Sequence, residues 1–365
     1  MPKTLHSTKH FKLVRELRPL IARLTHGDEI PTQKTLKEDF NVSQNTIELA
    51  LTRLRREGVI ERPAGKQRLV KAKISDPADY YIAIIRPDWP SMVIEGISQS
   101  IVNAGHEVNW TFDFISYRSQ NGLDLDKAIG DNDAAVLMLT SETVPDHLRD
   151  AMTYTRKPLV LAQDIIPDIA LNAVATDDRK NAALAVEHLA SLGHRQIALL
   201  LPTLGTFTMQ EAYKGWQSGM HQLGLTDLDA LLIECHTKPF KHAIDVAYPK
   251  FKAWLKKNKN KATAVICGTL EMGLAAKRCI HEEGIKFPDD FSLVCFDAFS
   301  RMGEYQYPPL TSLEMDLSQY GKQVIKLLQH QFDSTLNQPQ TQLFGGYLVK
   351  RQTTGPVPIS VFQSQ

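Results

Sequence analysis

From Tyr80 onward the chain alternates short apolar runs with longer amphipathic stretches, and this alternation constrains the fold more than any other feature. The run Tyr80-Tyr81-Ile82-Ala83-Ile84-Ile85 is continuously apolar, as expected of a strand buried on both faces of a parallel sheet. Strands are predicted over 80–85, 107–113, 134–140, 158–162, 172–175, 196–201, 230–235, 263–267 and 291–296. Helices are predicted over 91–104, 124–129, 145–154, 178–192, 208–223, 241–257, 270–283 and 317–332. Such alternation with short connections implies an α/β fold, with parallel sheets flanked by helices. About nine strands are many for one small sheet. Two similar lobes in series are the simpler arrangement, with the carboxyl ends of their strands facing a shared cleft.

Residues 28–70 follow a different pattern. A short helix over 33–40 carries Leu36 and Phe40 on one face, Asn41-Val42 makes a turn, and Ser43 is a good N-cap for a second helix. In that helix Ile47, Ala50, Leu51 and Leu54 form an inward stripe, while Gln44, Asn45, Glu48 and Arg55 project outward. Gly58 ends it. Val59 to Arg62 then reads as the first strand of a wing whose second strand closes at Val70. A preceding helix over 9–25, with Leu13, Leu17, Leu20, Ile21 and Leu24 along one side, is expected to kink or restart at Pro19. Helix, turn, helix and wing together present a polar helix to the major groove of DNA. Residues 71–79 change composition and read as a linker.

Charge divides along the same boundary. Residues 1–73 carry 16 Lys and Arg against 8 Asp and Glu, leaving 26 against 33 on the rest of a chain whose overall net charge is +1. A basic N-terminal module on a mildly acidic body fits phosphate contact at one end only. Hydrophobic residues make up 43% and charged residues 23%, the proportions of a globular protein. No apolar run reaches membrane-spanning length and the N-terminus lacks the apolar core of a signal peptide, so a cytoplasmic location is expected. The four cysteines (235, 267, 279 and 295) lack C-x-x-C pairing, which disfavours a disulfide frame or a zinc site. The histidines show no metal-ligand spacing, and no P-loop, G-x-G-x-x-G or G-x-S-x-G motif occurs, so neither cofactor nor catalysis is expected.

Two resemblances refine these readings. Ile30-Pro31-Thr32-Gln33, Leu36, Phe40-Asn41-Val42-Ser43, Thr46-Ile47, Ala50-Leu51, Leu54, Glu57-Gly58-Val59-Ile60 and Gly65-Lys66 resemble, in register, the GntR-type winged-helix DNA-binding domain. Asp177-Asp178-Arg179, Glu187-His188-Leu189 and the stretch 192–199 resemble the LacI/GalR effector-binding domain. So do Gly215-Trp216 with Gly219, residues 284–297, Pro308 to Leu313, and Leu348 to Thr354. The second resemblance spans 80–356. It implies a two-lobed periplasmic-binding-protein fold whose chain crosses between lobes three times, near 175, 297–316 and 335–345. The expected domains are 1–72 for DNA binding, 73–79 as linker and 80–358 for effector binding. Lobe 1 is expected at about 80–175 with 317–338, and lobe 2 at about 176–316 with 339–358.

The candidate DNA contacts are Thr32, Lys34, Ser43, Gln44, Asn45, Thr46, Arg53, Arg62, Lys66 and Arg68. Gln and Asn pair bidentately with adenine, and hydroxyls and cations suit phosphates. Any one of these cations can equally be solvated surface. The GntR-type pattern carries arginine at the positions of Gln44 and Glu48, and its wing G-K-G-T is Gly65-Lys66-Gln67-Arg68 here, so the operator sequence does not carry over.

The candidate effector contacts follow strand ends: Asp88, Trp89 and Ser91 after the first strand, Thr140 after the third, and Gln163 after the fourth. Thr208, Gln210, Phe240, Thr269 and Asp297 come from the second lobe. Trp89 either stacks on a ligand or packs at a dimer surface. Asp297, which matches the family's ligand-contacting aspartate, either accepts two hydroxyls or makes a structural bond at a crossover. The arginine that sugar-responsive relatives place three residues before Gly215 is Ala212, and their Asn-Asp pair after strand 263–267 is Thr269-Leu270. The ligand is therefore not expected to be gripped like an ordinary hexose.

The resulting expectation is a homodimeric, ligand-responsive transcription factor, a repressor of a catabolic or transport operon. Its partners are double-stranded operator DNA and a small, carbohydrate-related effector, with no membrane contact. The alternatives are a solute-binding protein and an α/β enzyme with an accessory domain.

Overall fold

Side-chain capping decides where the N-terminal helices begin. In the computed structural model, which describes residues 9–65, 67–72, 78–89, 91–237, 241–258, 261–296, 302–335 and 338–358, α1 spans Lys9–Ala22, with Pro19 inside it. Thr32 caps α2 (Gln33–Phe40), which stops at Asn41 in the left-handed conformation (φ 47°). Ser43 caps α3 (Gln44–Arg56), its side-chain oxygen accepting the Thr46 N–H. The left-handed Gly58 (φ 68°) releases the chain into β1 (Ile60–Glu61), which pairs antiparallel with β2 (Val70–Lys71). A bridge from Glu29 to Val70 extends this small sheet. Leu13, Leu17, Leu36, Ile47, Leu51, Leu54 and Ile60 close a separate apolar core. Each is spaced along its helix or strand so that one face is buried.

The body contains two six-stranded sheets. The first lobe runs β3 (Tyr80–Pro87), α4 (Met92–His106), β4 (Trp110–Tyr117), α5 (Leu125–Ile129), β5 (Ala134–Met138), α6 (Asp146–Tyr154), β6 (Leu159–Gln163) and β7 (Asn172–Thr176). The second runs α7 (Asp178–Ser191), β8 (Ile197–Leu201), α8 (Phe207–Gln222), β9 (Leu232–Glu234), α9 (Ala243–Asn258), β10 (Ala264–Cys267), α10 (Leu270–Glu282), β11 (Ser292–Phe296) and β12 (Thr311–Glu314). After them come α11 (Leu317–Phe332), β13 (Thr341–Phe344) and β14 (Tyr347–Val349). The strand orders are β13-β7-β6-β5-β3-β4 and β14-β12-β11-β10-β8-β9. Pairing is parallel from β3 through β5, β6 and β7 to β13, and from β9 through β8, β10 and β11 to β12. β14 runs antiparallel, against β12. The central strands β5, β8 and β11 are buried at every residue. Helices cover both of their faces, so no polar alternation is needed.

The chain passes between sheets after β7, after β12 and between β13 and β14. The last crossing corrects the expected lobe boundary at 338. β13 pairs with β7 in the first sheet, Thr341 opposite Ala173, so only the segment from about Gly345 belongs with the second. Three short strands, β12 to β14, lie in segments read as connections from the sequence. At the crossings the segments are tied together. Asp177 donates its N–H to the Phe344 carbonyl at 2.8 Å, and the Gly346 N–H donates to Asn181 Oδ1 at 2.7 Å.

Candidate DNA interface and effector cleft

The polar end of α3 is assembled by its cap. Ser43 and Thr46 hydroxyls lie 2.8 Å apart, and Thr46 is buried, which commits both to ending the helix. Gln44 and Asn45, in the exposed first turn, point outward. Gln44 Nε2 donates to Gln33 Oε1 at 2.7 Å and to Glu48 Oε1 at 3.2 Å, which pre-orients its amide. Thr32 caps α2, where Lys34 is exposed in the first turn. Arg62 is exposed beyond β1, and Arg68 is exposed on the wing beside Glu29, with which it pairs. Lys66 lies outside the described residues.

Arg53 is a correction. Its guanidinium Nε sits 2.6 Å from Glu57, whose side chain is fully buried, and Arg18 from α1 reaches the same carboxylate at 2.9 Å. Burial of Arg53 works against its charge and Glu57 opposes that effect, so this arginine is engaged at the end of its own helix, while Arg18 ties the same carboxylate to α1. Thr46 is likewise turned inward.

In the body, two predicted effector residues are helix caps. Ser91 accepts the Ile94 N–H at the start of α4 (3.4 Å), and Thr269 accepts the Met272 N–H at the start of α10 (3.3 Å). Asp88 carries Arg118 at 3.5 Å, and Trp89 beside it is half-buried. Thr140, buried at the end of β5, accepts Gln120 Nε2 at 2.7 Å, and the backbone N–H of Glu142 donates to the same hydroxyl. Gln210 is exposed and turns back to the Leu204 carbonyl. Phe240 and Asp297 lie outside the described residues.

Gln163 stands apart. Its φ of 81° is a left-handed conformation that a side-chain-bearing residue adopts at a cost of ~1–3 kcal/mol. Tyr320 of α11 holds it there: its hydroxyl accepts the Gln163 N–H at 2.8 Å and donates to the Val174 carbonyl at 2.6 Å. The side-chain oxygens of Gln163 and Gln120 are buried and unpartnered among the described residues. Next to Gln163, Asp164 accepts the backbone N–H of Thr208 from the other lobe at 3.1 Å. Burial pushes the Asp164 carboxyl up, opposed by hydrogen bonds from Ile165, Thr208 and Phe207. Asp178, at the first crossing, is pushed up to about 6 by burial, against hydrogen bonds from Thr176 and Asn181. Gln163 and Thr208 are thus brought to one place. Gln120 and Glu142 are bonded to Thr140, and Tyr320 to Gln163, without having been singled out in the sequence. Gln120 lies in a loop with no strand signal, and the partners of Tyr320 are more than a hundred residues away. Among the described residues no cluster of metal-ligating side chains occurs, and no helix is long and apolar enough to cross a membrane.

Comparison with known proteins agrees with this architecture. Residues 12–70 match the model for bacterial regulatory proteins of the gntR family, and residues 186–354 match a periplasmic binding protein-like domain. The chain is 26% identical over 236 residues to the HTH-type transcriptional repressor PurR of Actinobacillus pleuropneumoniae serotype 3 (strain JL03), covering 64% of this chain and 67% of that one. Among solved structures, the transcriptional regulator CelR–cellobiose complex superposes with a TM-score of 0.66 at 19% identity, covering 93% of this chain and 98% of that one. A LacI family transcriptional regulator from Enterococcus faecium with bound ribose superposes at 0.64 and 21% identity, covering 76% and 99%. The chain is thus similar to bacterial regulatory proteins of the gntR family over residues 12–70 and to a periplasmic binding protein-like domain over residues 186–354.

Proposed function

We propose that this protein is a cytoplasmic, homodimeric transcriptional repressor that binds double-stranded operator DNA and responds to a carbohydrate-related effector held between the two lobes. The observation that carries this reading is the union, in one chain, of an exposed Gln44–Asn45 turn on a packed winged helix with a two-lobed α/β body. Two winged domains would read two half-sites related by a two-fold axis. Effector binding would then bias the dimer's geometry through a coupling free energy of ~1–3 kcal/mol. A hydroxyl-rich ligand suits the first lobe's wall, where the unpartnered amide oxygens of Gln120 and Gln163 call for donors. Ribose and cellobiose in the two solved neighbours support the same class, and the relative named a repressor supports the direction of control. Readings as a solute-binding protein or an enzyme have no comparable support, since these relatives are named as regulators.

Fluorescence anisotropy with the DNA upstream of the protein's own coding region is the direct test. Asn45→Ala should weaken operator binding by ~1–3 kcal/mol while leaving the salt slope nearly unchanged, because a base contact releases no counterion. Equal affinity of wild type and variant for operator and scrambled DNA would refute the reading. A thermal-shift screen over sugars and glycosides tests the effector class, and stabilisation by none of them would remove it.

A further inference from the structure

The two lobes touch where the loops after β5, β6 and β8 meet. Asp164 Oδ1, from the first lobe, accepts the Thr208 N–H of the second at 3.1 Å. Thr208 lies in the first turn of α8, so Asp164 takes up an N–H group that the helix cannot satisfy itself, at the end where its dipole favours negative charge. The helix's own cap, Thr206, serves a different donor, the Met209 N–H, at 3.3 Å. Beside this contact, Gly205 of the second lobe lies so close to the first that a Cβ on it would meet the Ser141 carbonyl oxygen at 2.5 Å. Both contacts are made by the chain's own groups. Closure in a two-lobed binding domain needs interactions present only in the closed arrangement, and a charged hydrogen bond across the rim supplies one.

We propose that Asp164 is an interlobe latch, holding α8 against the first lobe so that the cleft rests closed without effector. The consequence for regulation rests on the function proposed above: an effector would act on a preclosed cleft and could change the state only by its differential affinity for closed and open forms.

Single-molecule energy transfer between dyes on Asn121→Cys in the first lobe and Asp245→Cys in the second reads the closure directly. Both positions are exposed and the four native cysteines are buried. With neither effector nor DNA present, Asp164→Ala should lower the closed-to-open ratio roughly tenfold. Asp164→Asn, which keeps an acceptor but not the charge, should fall between. Thr208→Pro removes the accepted N–H from the other side at a position where proline is tolerated, and should reproduce Asp164→Ala even if that variant folds poorly. Gly205→Ala calibrates the open signal, because its Cβ meets backbone. A wild-type distribution in both Asp164→Ala and Thr208→Pro overturns the latch, as does a wild-type distribution in Gly205→Ala. None of these results bears on operator binding, so the latch and the function proposed above fail separately.

Discussion

Glu57 has its carboxylate out of water between two guanidiniums, Arg18 at 2.9 Å and Arg53 at 2.6 Å. Removing the charge takes this carboxylate from Arg53 and leaves Arg18 with the exposed Asp79 at 3.4 Å, and breaking a buried pair typically costs ~3–5 kcal/mol. Glu57→Gln should therefore lower the stability of the winged helix by several kcal/mol in urea denaturation, and a loss below ~1 kcal/mol would show the pair to be dispensable. Two histidines of the second lobe give the body a pH dependence. Burial, with Lys350 and His194 nearby, pushes His188 down to about 4, and burial lowers His194, which hydrogen-bonds Thr263 and Ser292. Both stay neutral in the fold while the unfolded chain protonates near pH 6.5. Their contribution is thus complete above that value and lost as pH falls toward 4. Asp178, raised to about 6, acts oppositely and regains stability as pH falls from about 6 toward 4. His188→Gln should flatten the acid limb of a thermal-denaturation profile relative to wild type, and an unchanged limb would remove His188 from the account. The cap role of Ser43 was legible in the sequence because capping is local. The burial of Arg53 was not, because helical spacing puts it at the border of the buried stripe and only α1 decides which way it turns.

At the scale of elements, α7 and α8 pack so closely that a Cβ on Gly215 would strike the Arg179 carbonyl oxygen. Trp216 beside it is fully buried and donates to the Ile197 carbonyl at 3.0 Å. Gly215→Ala must push the helices apart and should cost ~1–3 kcal/mol or more, read as a lowered melting temperature of the body. A neutral result would mean that the helices separate freely. The long helices and the apolar strands fell within a few residues of their predicted bounds, since a dozen periodic residues average out local accidents. Strands β13 and β14 did not announce themselves. They are four and three residues long, with no fully buried position, and β13 exists because β7, some 170 positions earlier, offers an open edge.

Across the whole molecule, apolar cores are separate. Leu13, Leu36, Ile47 and Leu54 belong to the winged helix, Leu137, Leu148 and Leu161 to the first lobe, and Trp216, Phe251 and Phe291 to the second. A fragment covering 78–358 should therefore melt cooperatively and bind the full chain's effector within about threefold of its affinity, as expected of domains with their own cores, while losing operator binding. Calorimetry and anisotropy check this, and a fragment that fails to fold would show that the body depends on the N-terminal unit. The sequence by itself determined the kinds of element, their order and the division into a basic module and an α/β body. Hydrophobic period, capping residues and charge are local properties carried by neighbours along the chain. Tertiary structure alone decided that Arg18 of α1 reaches Glu57, that Tyr320 holds Gln163 in a left-handed conformation, and that Asp164 reaches across to α8. Each of these depends on a partner brought close by packing, and no spacing along the chain encodes that distance.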